Sequence, residues 1–149
     1  MTAPLTATAV ASAIAAIAAT VLWLRARLVV VTIEGVSMAP GLAPDDRVIV
    51  RRIPASRLRA GRIAVVEQPY RAGGAWVWPS TPGRIDGRTW MVKRIAAVPG
   101  DPVPARVASL PGPVVPDGYV LVLGDNADAS VDSRRIGYVP VERVLGVVF

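Results

Sequence analysis

Residues 90–98 read WMVKRIAAV, and Pro99–Gly100 closes the run. Nine mostly apolar residues with flanking turn signals make a strand, since a helix of the same character needs more length. Strand alternation then puts Met91, Lys93 and Ile95 on one face and Arg94 on the other. Working outward, LVVVTIEGV (28–36), RVIVRR (47–52), RIAVVEQ (62–68), YVLVLGD (119–125) and VLGVVF (144–149) have the same character. Between them lie turn-rich stretches: APGLAPDD, QPYRAGG, PSTPGR, VPGDPVP and SLPGPVVPDG. Residues 98–118 form a long connection of this kind rather than a domain linker. Fourteen prolines and thirteen glycines leave little room for long helices. The pattern predicts a compact antiparallel β domain over residues 28–149.

The N-terminal stretch is different. Pro4–Leu24 reads PLTATAVASAIAAIAATVLWL and carries no charge. At about 1.5 Å per residue it spans roughly 31 Å, one hydrocarbon thickness. Trp23 falls where an indole meets headgroups. A cleaved secretory signal would carry its positive charges before the apolar run, whereas Arg25 and Arg27 follow it. A buried helix of a soluble domain would show a polar face, and none is evident. The fold class is therefore mainly β: a single N-terminal transmembrane helix in a membrane anchor (residues 1–27), followed by the β domain (28–149). Taken alone, the two flanking arginines place that domain in the cytoplasm.

Composition removes many chemistries. There is no cysteine and no histidine, which excludes thiolate and imidazole nucleophile systems, disulfides and the usual metal sites. Of 17 basic residues, one is lysine: Lys93. Arginine stays protonated, so Lys93 is the one side-chain cation that burial can make neutral. A serine hydroxyl activated by a neutral lysine amine is a hydrolytic solution open to such a chain. Lys93 between Met91 and Ile95 is placed for desolvation; a strand-edge lysine whose amine reaches water fits the spacing equally well. Among seven serines, Ser37 lies at a strand end before a proline turn, and Ser130 and Ser133 lie in a loop dense in Asp, Asn and Ser. The net charge of +6 would favour anionic lipid headgroups. No nucleic-acid motif accompanies it, and aromatics are sparse.

Three segments in order carry a resemblance. SMAPGL (37–42), KRIAAVPGD (93–101) and GDNADASVDSRRIGYVP (124–140) resemble the conserved boxes of type I signal peptidases, with GRIAVVEQP (61–69) similar to a fourth. The resemblance covers residues 33–149, and the anchor fits it. It implies a membrane-bound Ser/Lys endopeptidase with a β-rich catalytic domain of the signal peptidase type and no cofactor or metal. On the matching positions Ser37 is the nucleophile and Lys93 the general base. Ser130 hydrogen-bonds and orients the lysine, and Asp132 and Arg134 form a supporting pair. The Ser37 N–H donates to the oxyanion. Some members add a hydroxyl two residues earlier, where this chain has Gly35. Other departures are Gly41, Arg62 and Ala97, where threonine, an acidic residue and glycine are common.

The resemblance further implies partners. Signal-peptide-bearing preproteins would be cut after small residues, with membrane lipids around the anchor and no nucleic acid. Ile33, Met38, Leu42, Met91 and Val92 match positions that line the first substrate pocket; the same five would also serve as ordinary core. The implied location is the cytoplasmic membrane, single-pass, with the catalytic domain on the outer face, against the flanking-charge count. A dedicated maturation peptidase of the same family, acting on one or a few proteins, is the alternative. A self-cleaving Ser/Lys repressor would need a DNA-binding domain in place of the anchor. An inactive peptide-binding module would be expected to lack Ser37 or Lys93.

Overall fold

A computed structural model describes residues 3–80, 89–107 and 109–149. The turn expected at PSTPGR lies, from residue 81 on, outside the described residues. Helix α1 covers Ala3–Arg27. Its stretch Thr8–Arg27 is long and apolar enough to cross a membrane, and none of it is buried in the protein. Its hydroxyls stay satisfied within the helix: Ser12 Oγ donates to the Thr8 carbonyl and Thr20 Oγ1 to the Ala16 carbonyl, both at 2.9 Å. That is what a polar side chain needs where no water is at hand.

The body is mainly β. Strands β1 (Leu28–Thr32), β2 (Arg47–Arg51), β3 (Ile63–Glu67), β6 (Trp90–Ala97), β7 (Tyr119–Leu123), β8 (Val139–Pro140) and β9 (Val144–Val148) form one curled antiparallel sheet. Its order is β1-β2-β9-β3-β6-β7-β8. A separate hairpin pairs β4 (Tyr70–Ala72) with β5 (Ala75–Val77). Its two loop residues, Gly73 and Gly74, have φ of 57° and 85°, the left-handed pair that a tight hairpin turn demands.

Alternation sorts side chains to the two faces of the sheet. In β3, Ala64 and Val66 join one core cluster with Met91, Ile95, Val120, Val122 and Val147. Val65 joins another with Ile33, Met38, Val50 and Val92. The connection over residues 98–118 packs Val107 and Val115 on Ala97, Leu121 and Leu123. It is thus folded onto the sheet, as expected of something other than a linker. Each fully buried Val or Met contributes about 1.5–3 kcal/mol, and this packing fixes the strands that carry the polar residues described next.

Candidate active site

Ser37 lies on a closed excursion between β1 and β2. Ile33 N–H donates to the Asp46 carbonyl at 2.8 Å, and Asp45 N–H returns a bond to the Ile33 carbonyl at 2.9 Å. These pin the loop's base. Met38, 1% exposed, plugs into the core and fixes its middle. A single helical turn follows, with Leu42 N–H donating to the Met38 carbonyl at 3.0 Å. The loop is also held from outside. Asn126 donates its backbone N–H to the Ser37 carbonyl at 3.0 Å and its Nδ2 to the Val36 carbonyl at 3.3 Å. The Ser37 N–H has no hydrogen-bond partner among the described residues.

Lys93 comes from β6, an inner strand between β3 and β7. Its cross-strand partner on β3 is the small Ala64. Lys93 is 4% exposed, so the strand-edge alternative does not hold. The amine donates to Ser37 Oγ at 2.7 Å. Burial lowers its pKa below the ordinary lysine value, the Asp132 carboxylate opposes that shift, and the Arg134 guanidinium adds to it. Desolvation dominates because a charged ammonium loses hydration there.

Asp132 is fully buried and caps the short helix α2 (Ser133–Ile136). Its carboxylate accepts from Gly124 N–H at 2.8 Å, Ser130 Oγ at 2.7 Å, and Arg134 Nε and Nη2 at 2.9 and 2.5 Å. Burial alone would raise its pKa. The Arg134 hydrogen bonds, with those from Gly124 and Ser130, more than offset this and bring it down to about 2. At neutral pH the site thus holds a fixed anion whose charge is felt by the lysine. Ser130 donates to Asp132, not to Lys93, so here it meets the lysine's surroundings through the carboxylate rather than directly. As an anion Asp132 accepts all four of these bonds, and a charged acceptor holds the Ser130 hydroxyl more strongly than a neutral amine would.

Two further residues complete the arrangement, neither singled out from sequence. Asp125, next to Asn126, forms a two-pronged ion pair with Arg94 on β6, at 2.9 and 2.7 Å. Gly124 leaves the space where Ser130 and the Ser37 carbonyl converge: a Cβ there would lie 2.7 Å from that carbonyl oxygen and closer still to Ser130 Oγ. The repeated small and polar residues of GDNADAS were the available signal. Ser133, the other serine of this loop, instead accepts from Val122 N–H at 2.9 Å and serves the sheet.

A groove of about 360 Å³ opens over the Ser37–Lys93 pair. Ile33, Met38, Met91 and Val92 line it, and Gly35 does too, with no hydroxyl to offer. Leu42 does not line it but packs against the core cluster beneath. Ala129 and Val131 form part of the lining that the sequence had not marked. Chemically, a hydroxyl within proton-transfer distance of a desolvated amine, at the floor of an open groove, is suited to nucleophilic attack.

Comparison with known proteins bears on this geometry. The profile of a family described as signal peptidase, peptidase S26, matches residues 5–111 and 104–149. The chain is 36% identical over 136 residues to "Probable signal peptidase I-2" of Synechocystis sp., covering 76% of the chain and 57% of that protein. It is 56% identical over 36 residues to "Signal peptidase I" of Aquifex aeolicus, covering 24% of the chain and 14% of that protein. The match thus spans little more than half the length of the first relative and a small part of the second.

Proposed function

The chain belongs to the signal peptidase family, peptidase S26, and from that membership we propose that it is a membrane-bound serine endopeptidase that removes signal peptides from exported preproteins. Ser37 is the nucleophile and Lys93 the general base. The observation that carries this reading is the 2.7 Å contact between Ser37 Oγ and the buried Lys93 amine. The neutral amine takes the Ser37 proton as the oxygen attacks the scissile carbonyl. The resulting ammonium protonates the leaving amine, and the amine then activates water to hydrolyse the acyl-enzyme. The unpartnered Ser37 N–H stabilises the oxyanion. With Gly35 offering no hydroxyl, that backbone donor carries more of the task. Ser130 and Arg134 hold the Asp132 carboxylate, whose charge acts on the base.

The substrate lies extended in the groove, with a small side chain at the cut facing Ile33, Met38, Met91 and Val92. Residues 1–27 serve as the anchor among membrane lipids and 28–149 as the catalytic domain. Cleavage of a purified preprotein by the full chain in detergent tests the dyad. Ser37→Ala and Lys93→Arg, each folded, should lose all measurable cleavage, the latter because a guanidinium stays charged. Full activity in a folded Ser37→Ala protein would remove Ser37 as the nucleophile.

A further inference from the structure

A second cavity lies away from the Ser37–Lys93 groove. It measures about 450 Å³ and opens where the last turn of α1 meets β2 and the end of β9. Leu24, Ile49, Ile53 and Phe149 give it an apolar lining. Four arginines, Arg27, Arg51, Arg52 and Arg57, share that lining, and no acidic residue does. None of the four forms an ion pair among the described residues. Two are held by aromatic rings: Arg27 lies 5.7 Å from the Trp23 ring and Arg51 5.4 Å from the Phe149 ring. Arg52 Nε is buried with no hydrogen-bond partner. A buried guanidinium nitrogen without an acceptor is costly unless an anion supplies one.

The surroundings say what kind of anion. The apolar surface of α1 continues onto the body through Val30, Ile49 and Phe149, which remain 54%, 49% and 80% exposed. Val30 and Ile49 face each other across β1 and β2. An apolar pocket rimmed by unpaired arginines, at the end of a helix long enough to cross a bilayer, complements an amphiphile with an anionic head. Guanidinium forks suit a phosphodiester, and the apolar lining suits the start of an acyl chain.

We infer that this cavity is a binding site for one anionic glycerophospholipid, its phosphate held by Arg27, Arg51, Arg52 and Arg57 and its chains against Leu24 and Phe149. This goes beyond the peptidase reading and does not rest on it. The site would also give Arg27, just after the span, a role in lipid contact, independent of which side it faces.

The test uses the full-length chain carrying Ser37→Ala, so that catalysis plays no part. Native mass spectrometry from detergent counts lipids retained from an equimolar mixture of phosphatidylglycerol and phosphatidylcholine. One phosphatidylglycerol should be kept in preference. Arg52→Gln/Arg57→Gln should lower that preference about fivefold per arginine removed. Arg71→Gln/Arg106→Gln, the same charge change elsewhere, should leave it unchanged. In the otherwise unaltered chain, dibrominated phosphatidylglycerol should quench a fluorescence component that Trp23→Phe removes. Equal retention of the two lipids, an equal loss in both double variants, quenching that survives Trp23→Phe, or displacement by millimolar inorganic phosphate would each overturn the inference.

Discussion

Gly124 shows how tightly the candidate site is built. Its missing side chain is what lets Ser130 and the Ser37 carbonyl meet behind the hydroxyl–amine pair. Gly124→Ala would press against backbone on one side and a buried serine on the other, so the Ser37 loop must shift. The expected result is a fall in kcat of at least about tenfold, as slight misplacement of reacting groups brings, with overpacking costing about 1–3 kcal/mol of stability. A steady-state assay with a thermal melt checks both, and wild-type kcat would show that the contact does not matter. Lys93 could be picked out from residue types, because the chain has no histidine or cysteine and one lysine, whereas Ser37 stood out from Ser130 and Ser133 only through the resemblance of its SMAPGL box. Asn126 could not, because it acts largely through a backbone N–H that any residue but proline has. Leu42 shares the apolar character of the pocket residues, and only the turn geometry after Met38 decides that it packs inward.

At the scale of elements, β6 and β9 matter most. β6 is an inner strand flanked by β3 and β7, and Lys93 on it is buried at the floor of the groove. β9 bridges β2 and β3, and its register against β3 shifts between Val65 and Val66. Gly146 sits beside that irregularity. A Cβ there would lie 2.8 Å from the Arg51 carbonyl carbon, and nearer still to its oxygen. Neither atom is the end of a flexible side chain. Gly146→Ala should therefore lower stability by about 1–3 kcal/mol, read as a lower midpoint in denaturant with the slope unchanged. An unchanged midpoint would mean that β2 and β9 yield easily. The six longer strands were legible because β-branched runs ended in Pro or Gly. The β4–β5 hairpin was not: three-residue arms are too short to show alternation, and its Gly73–Gly74 loop reads as part of a longer turn. The two-residue β8 has no sequence pattern of its own; its pairing with β7 defines it.

For the whole molecule, the arrangement is an exposed apolar helix on a mainly β body, and both parts were legible from the switch in character at Arg25–Leu28. Orientation was not. Two arginines argue for an inner body, and removal of signal peptides after export requires an outer one. The account predicts that protease added to intact spheroplasts degrades the body; protection until the membrane is opened would contradict it. The central claim is that the buried Lys93 amine is neutral when the protein works. Because the chain has one lysine, isotopic labelling of lysine gives a single side-chain carbon signal to follow against pH. The folded pKa lies below the ordinary 10.5, so the unfolded chain binds the proton more readily. Stability from this group is thus fullest above 10.5 and declines as pH falls toward the depressed value, while cleavage rises with pH through that same value. The Lys93 signal of the folded, full-length protein in micelles should titrate well below 10.5, at the midpoint of the acid limb of kcat/KM. A Lys93 titration at 10.5 or above in an active, folded protein would contradict the account.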